Sequence, residues 1–419
     1  MSKKENIRHT KNIKKLISLI MCIVMVVSFA GCTKADRDKS KNEPSSDVTS
    51  EGKKDNKKEE KEITKQDIMI KAADYLKGMT VEEKVGQLFI VNLEQLDDSK
   101  GSFYEWQKFT KKMKQTIDKF HPGGVIMFSR NIAKREQIIN LNTKLQTASK
   151  TPLFITVDEE GGDVSRIASN PKMNTTVFPT VEQIGREKDT AYVRDMGETI
   201  AKDIKSLGFN VDFAPVADVK TSKLNLEIGT RSFGDDPDKV ADMVQAFVKG
   251  MQGQNISATL KHFPGQGSSK GDTHVESVNI DSSITGLRDV DFVPFKAGIE
   301  ADADFTMVSH ISVNKVTETS QPASMSKLIM ETILREELGF QGIIITDAMD
   351  MASITDNYTA AEAAYGAISG GADIVLMPTD LESAYNEILS KVKEGKISED
   401  RLDESVLRIL TVKMYRGII

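Results

Sequence analysis

The chain has 419 residues, 56 of them Lys or Arg and 62 Asp or Glu, for a net charge of −6. This mildly acidic balance leaves no basic footprint for nucleic acid, and two cysteines are too few for a disulfide scaffold. The length allows one large domain or two ordinary ones.

The first segment reads as an address. Lys3, Lys4, Arg8, Lys11, Lys14 and Lys15 form a basic stretch ahead of an apolar run from Leu16 to Ala30. That run is shorter than the roughly 18 residues a membrane span needs. It ends in Ser28-Phe29-Ala30-Gly31-Cys32, which resembles a bacterial lipoprotein signal with Phe29 in the usual leucine position. Residues 1–31 are thus expected to be a signal peptide, with Cys32 as the lipidated first residue of the mature chain. Residues 32–65 are nearly all Lys, Asp, Glu, Ser and Asn. Such a segment cannot bury a core and is expected to be a disordered tether. Its partner would be the membrane, on the extracytoplasmic side.

From about Gln66 the composition becomes globular. The pattern predicts eight strands: Val85–Val91, Gly124–Phe128, Leu153–Val157, Val211–Ala214, Ile256–Leu260, Phe305–Val308, Gly342–Ile345 and Ile374–Met377. Their nearly continuous apolar character suits parallel strands covered on both faces. Amphipathic helices are expected between them. Asp236-Pro237 supplies an N-cap and first-turn proline for one that ends at Met251. Gly208 and Gly339 stand where helix-ending glycines belong, after Ile200–Leu207 and Leu328–Leu338. Eight such units predict an α/β fold, a (β/α)8 barrel. No Gly-x-Gly-x-x-Gly follows the first strand, which argues against a doubly wound open sheet.

A barrel of this kind keeps its chemistry at the carboxyl ends of its strands. Asp158-Glu159-Glu160 follow the third run, Pro215 and Asp218 the fourth, Lys261-His262 the fifth, Ser309-His310 the sixth and Thr346-Asp347 the seventh. Alternation places Asp347 on the face of Ile343 and Ile345, in line with the barrel interior. A carboxylate there can attack an electrophilic carbon; its bland reading is a cap for the next helix. In Asp272-Thr273-His274, the aspartate can orient the imidazole and stabilise its protonated form, which suits general acid/base work. Asp158 can accept from paired hydroxyls, while Arg166, Arg231, Lys261 and His262 can supply further polar contacts. A nucleophile and an acid/base are what glycoside hydrolysis through a covalent intermediate requires.

At these residues the chain resembles glycoside hydrolase family 3, in its bacterial β-N-acetylhexosaminidase branch. The matching pieces are Val157-Asp158-Glu159-Glu160-Gly161-Gly162, Asp212-Phe213-Ala214-Pro215-Val216-Ala217-Asp218, Arg231-Ser232-Phe233-Gly234, Lys261-His262-Phe263-Pro264-Gly265, Asp272-Thr273-His274 and Thr346-Asp347-Ala348-Met349. The resemblance implies that residues 66–419 form a single catalytic barrel domain. It implies a retaining enzyme that removes terminal β-linked N-acetylglucosamine from peptidoglycan fragments or related glycans. It puts the nucleophile on Asp347, the acid/base pair on His274 and Asp272, and sugar binding on Asp158, Arg166, Arg231, Lys261 and His262. No cofactor and no metal are expected, and the expected partner is a carbohydrate. Oligomeric state has no signature in the sequence.

Two positions depart from the family pattern. Gln266 stands where a histidine is usual, and Asp163 where many members have arginine. They bear on substrate preference and loop packing. A phosphorylase and a catalytically silent sugar-binding lipoprotein are the alternatives. A substrate-assisted mechanism built on Asp158-Glu159-Glu160 would leave Asp347 and the Asp272–His274 pair without work. A metal site from His262, His274 and His310 lacks tight ligand spacing.

Overall fold

The computed structural model describes residues 64–419. The expected signal peptide, Cys32 and the tether through residue 63 lie outside the described residues. Lys65, at the tether's expected end, opens a helix that runs to Leu76. Met69–Ile419 form one compact unit.

Eight parallel strands build its centre: β1 (Phe89–Val91), β2 (Gly124–Ile126), β3 (Phe154–Val157), β4 (Val211–Asp212), β5 (Thr259–Phe263), β6 (Phe305–Val308), β7 (Ile343–Ala348) and β8 (Ile374–Leu376). They lie in the order β4-β3-β2-β1-β8-β7-β6-β5. The ring is completed between β4 and β5 by single bridges, Val211 to Ser257 and Val216 to Lys261. Main-chain bonds accompany them, with Asp212 N–H donating to the Ser257 carbonyl at 2.9 Å and Thr259 N–H to the Ala214 carbonyl at 2.8 Å. The result is the expected α/β barrel, nearly closed. Phe154 and Phe305 open two strands that are not neighbours in the sheet, yet their rings meet edge-on at 5.2 Å. That contact crosses the barrel's interior, so the centre is packed with side chains rather than hollow.

The second, fourth and eighth strands end one or two residues early, the seventh runs on through Asp347 to Ala348, and the first and fifth depart furthest from expectation. Val85–Gln87 belong to a helix, Val81–Gln87, and only Phe89–Val91 pair as strand. The signal lay upstream: Thr80 accepts from the Glu83 N–H while the Glu83 carboxylate accepts from the Thr80 N–H. This reciprocal cap starts a helix directly before the apolar run. The fifth strand is shifted too, covering Thr259–Phe263 instead of Ile256–Leu260. Lys261 and His262 are therefore strand residues. Polar side chains are tolerated there because that end of the strand faces a polar cavity, described below.

The helical punctuation is as read. Asp236 accepts from Asp238 N–H and Lys239 N–H, and Pro237 opens a helix that ends at Gln252. Gly208 and Gly339 take φ of +90° and +73°, where a side chain would be strained. The helix before Gly208 is longer than expected, Thr190–Lys205, and the one before Gly339 is π-helical over Leu328–Glu337. Among the described residues no helix is long and apolar enough to cross a membrane.

Candidate active site

The strand ends surround a cavity of about 1400 Å³. Asp158, Glu160, Arg166, Arg231, Lys261, His262, His274 and Asp347 all line it. Seven of these eight were singled out in the sequence as site residues; Glu160 was not.

Glu160 is the hub of one wall. Its Oε1 receives Lys261 Nζ at 2.6 Å and Arg231 Nη2 at 2.7 Å, and its Oε2 receives Arg231 Nε at 2.9 Å. Burial alone would raise this carboxyl, but Arg231 and Lys261 hold it far below the ordinary range. It is an anchored anion, not a free acid. Lys261 also donates to Asp158 Oδ1 at 2.9 Å. Burial pulls the ammonium down, but Asp158 and Glu160 outweigh it and raise it. With two of its three N–H donors engaged, one is left for a ligand. Asp158 is only half-buried, and its other oxygen has Arg166 Nε at 3.9 Å. Such an oxygen can accept from a sugar hydroxyl.

His262 is fixed from behind. Its Nδ1 sits 2.7 Å from Asp218 Oδ2, and its main-chain N–H donates to the same oxygen at 3.1 Å. An ionised Asp218 only accepts, so Nδ1 carries the proton and Nε2 is the lone-pair side. Arg231 Nη2 lies 3.4 Å from that Nε2. Below Asp218, Asp291 is pushed up to about 8, by burial and then by the Asp218 charge. Both causes favour the neutral form of Asp291.

Glu159 turns away from the cavity. Its oxygens accept from Ile167 N–H at 2.7 Å and Ala168 N–H at 3.0 Å. Burial still pushes it up to about 7. With Glu159 bracing a turn and Glu160 saturated, the three consecutive acids offer no adjacent free pair. The substrate-assisted reading thereby loses its acids.

The loop after β5 carries the imidazole. His274 Nδ1 is 2.9 Å from Asp272 Oδ1 and 3.4 Å from Glu227 Oε1. Glu227 also accepts from Thr273 N–H at 3.0 Å and from the Thr273 hydroxyl at 2.5 Å. The hydrogen-bonding Glu227 carboxylate is the largest cause that raises His274 to about 9, ahead of Asp272 and more distant Asp347, with burial opposing. The proton on Nδ1 faces two carboxylates, so Nε2 is the atom available for proton exchange with a ligand. Glu227 itself is lowered to about 2: burial raises it, but the His274 and Thr273 bonds dominate.

Asp347 lies near the end of β7 and lines the cavity. The helix that follows, Ala352–Thr355, is preceded by Met351 with no side-chain cap, so Asp347 does not cap it. Its Oδ1 accepts from Ala348 N–H at 2.8 Å. Behind it, His310 is held between the Ser324 hydroxyl at 2.8 Å and the Ala348 carbonyl at 2.9 Å. Burial depresses His310 against the pull of Asp347, so it serves as a neutral donor that fixes the strand end. Asp350, also on the cavity wall, is raised to about 6 by burial and by Asp347.

The arrangement is a carboxylate at a strand end, a braced imidazole and a wall of donors and acceptors around one cavity. Residues 80–412 match the model of the glycosyl hydrolase family 3 N terminal domain. The chain belongs to glycoside hydrolase family 3. It is 32% identical over 327 residues to Beta-hexosaminidase A of Pseudoalteromonas piscicida, covering 72% of this chain and 55% of that protein. It is 34% identical over 256 residues to Beta-hexosaminidase of Xanthomonas oryzae pv. oryzae, covering 61% and 75%. Among solved structures, a glycoside hydrolase family 3 beta-N-acetylglucosaminidase from Paenibacillus sp. superposes with a TM-score of 0.76 at 31% identity, covering 81% of this chain and 63% of that one. The chain thus spans a little over half the length of the first and under two thirds of the third.

Within this family barrel, the sequence motifs did not single out Glu160 as a hub or Glu227 and Asp218 as supports. Glu160 was visible as the third of three acids. Glu227 left no signal, because it approaches His274 from the loop after β4. Together with Asp272 and His274 it forms the one group of described residues whose donor atoms, all within 4.8 Å, could hold a metal ion. Those atoms already satisfy one another and Thr273. Both departures from the family pattern find partners. Gln266 is buried and donates its N–H to Asp218 Oδ1 at 2.6 Å and its amide to the Thr273 hydroxyl at 3.3 Å. Asp163 accepts from the Thr230 hydroxyl, next to Arg231.

Proposed function

We propose that the protein is a retaining exo-β-N-acetylglucosaminidase. The observation that carries this is the meeting of Asp347 and the Asp272-braced His274 on one cavity, which Asp158, Lys261, Glu160 and Arg231 also line. In the first step an Asp347 oxygen attacks the anomeric carbon. The bond from that carbon to the glycosidic oxygen breaks, and His274 Nε2 gives its proton to the leaving oxygen. In the second step a water attacks the same carbon and neutral His274 Nε2 takes the water's proton. The bond to Asp347 breaks, and both side chains return to their starting states. Asp272 keeps the imidazole oriented throughout. Asp158, Lys261, Arg231, His262 and Arg166 hold the sugar's hydroxyls and its acetamide.

The relatives named beta-hexosaminidase and beta-N-acetylglucosaminidase support the choice of sugar. The natural substrates in this reading are terminal N-acetylglucosamine units of peptidoglycan fragments or related glycans. A slowly released fluorinated N-acetylglucosaminyl fluoride tests the central step. The expected result is a covalent adduct on the peptide containing Asp347, found by mass spectrometry; an adduct on another residue refutes the assignment. Muropeptide profiles before and after treatment test the substrate.

The anchor is a separate proposal. Cys32 is read as the lipid attachment point, with residues 32–65 as the spacer that lets the barrel reach the cell wall. Radiolabelled palmitate should enter the wild-type protein and not Cys32→Ser; equal labelling of both refutes it.

A further inference from the structure

Glu227 carries none of the motifs read from the sequence, yet its whole polar surface is committed around the acid/base loop. One carboxylate oxygen accepts the Thr273 N–H, and the other accepts the Thr273 hydroxyl and faces His274 Nδ1 at 3.4 Å. Its main-chain carbonyl accepts Arg231 Nη1 at 3.2 Å. The turn that carries it is pinned again where Asn225 donates to the Gln266 carbonyl at 2.7 Å. Its side chain is 5% exposed, whereas that of His274 is 60% exposed. A buried, fixed carboxylate therefore holds an exposed imidazole that would otherwise ride on a loop.

We propose that Glu227 is a positioning residue for the proton-transfer step: it clamps the Asp272–His274 loop to the turn of the sugar-binding Arg231 and places a second negative charge behind the imidazole. This inference rests on the glycosidase reading of the site. Its chemistry follows from the neighbours of His274 on every side. Asp272 faces it from its own loop, Glu227 from the loop after β4, Asp347 from β7 and Asp350 from just beyond β7. His310, at the end of β6, is the opposing imidazole, and burial keeps it neutral. With acids dominating, His274 holds its proton well above the ordinary 6.5. A proton donor is then present through neutral pH and is lost only as pH rises through about 9. Without the Glu227 charge that loss begins at lower pH.

Glu227→Gln keeps the shape and an acceptor but removes the charge. The five histidines are few enough to titrate individually by NMR with labelled imidazoles. The expected result is a His274 midpoint lower by about one unit or more. The basic limb of kcat/KM on a β-linked N-acetylglucosamine disaccharide should move with it, so that the loss at pH 9 is about 5-fold or more greater than at pH 6. Thr273→Val keeps the charge and removes one clamp bond; its basic limb should stay in place while kcat falls. Thermal melting checks that both variants fold, and Glu227→Asp, which withdraws the charge, replaces Glu227→Gln if that variant does not. An unmoved His274 midpoint, or a loss of equal size at every pH, overturns the proposal. If the wild-type protein hydrolysed no glycoside, the midpoint would still report on Glu227 while the glycosidase reading alone would fall.

Discussion

The two ends of the barrel both bury charged clusters, but they use them differently. At the amino ends of the strands, Asp373 precedes β8 and is fully buried. It accepts from Arg335, from Arg408 Nη1 at 3.0 Å, from the Ser405 hydroxyl at 2.6 Å and from Ile344 N–H at 2.9 Å, with Arg401 at 3.7 Å. Asp304, just before β6, is held by Arg416 and by the Ser257 hydroxyl at 2.7 Å. These are closed staples that tie the last helix, Glu399–Tyr415, and the chain end to the strand entries. At the carboxyl ends, Glu160 is just as saturated, but its partners are not. Lys261, Arg231 and Asp158 keep donors or acceptors facing the cavity. One end spends its charges on itself, and the other uses a few buried charges to hold the rest ready for a ligand.

Substitutions should split along that line. The largest effect is expected for Asp347→Ala, a loss of roughly 10⁴-fold or more in turnover with sugar binding retained, since this carboxylate is the proposed nucleophile. Calorimetric binding of N-acetylglucosamine beside a hydrolysis assay checks it, and near-normal hydrolysis would dissolve the contrast between the two ends. His274→Ala should cost about 10²–10⁴-fold on poor leaving groups and far less on activated aryl glycosides, which leave without a proton. Equal losses on both would count against the acid role.

At the other end, Asp373→Asn leaves three guanidiniums around a neutral amide. It should cost about 3–5 kcal/mol of stability, as breaking a buried ion cluster does, with turnover per folded molecule unchanged. Chemical denaturation and active-site titration together test both halves of that statement. Glu160→Gln is the same chemical change at the mouth. It should lower kcat/KM by about 10- to 100-fold through the loosened Lys261 and Arg231, the scale of losing charge-assisted hydrogen bonds. A purely structural loss there would make the two ends alike.

Smallest is the acid-side response of the Glu227 clamp. Its carboxyl is depressed from an ordinary 4.5 to about 2 in the folded state. The stability it contributes is therefore full above pH 4.5 and is lost as pH falls towards 2. The protection factor of the Thr273 amide, its exchange relative to the intrinsic rate at each pH, should hold down to pH 4.5 and fall below it.

Much of the mouth was legible because strand ends are marked locally. Asp158, Lys261, His262 and Asp347 each follow or close an apolar run, the Asp272–His274 pair stands on the loop after the fifth, and the barrel rule says that such residues share a rim. What escaped were residues whose work is defined by a partner distant in sequence. Glu227 meets His274 from another loop, and Asp218 meets His262 across the seam between β4 and β5. The two largest strand errors have a similar origin. A short apolar run fits the start of a strand or the end of a helix equally well, and only the Thr80–Glu83 cap decided for Val85. Polar residues looked like the end of the fifth strand, yet the pairing of Phe263 with Val308 of β6 and the bridge from Lys261 to Val216 carry that strand through Phe263.

Hydrophobic periodicity, helix caps and glycine positions are written in neighbouring residues, and they sufficed for the α/β barrel, its strand count and the side of the ring that bears the chemistry. Which acids stay charged was decided by tertiary structure alone. Glu159 and Glu160 are adjacent in the chain, yet burial raises one to about 7 while two cations drive the other far down. Protonation depends on what lies within a few ångströms, and those neighbours come from strands and loops that the linear order keeps far apart.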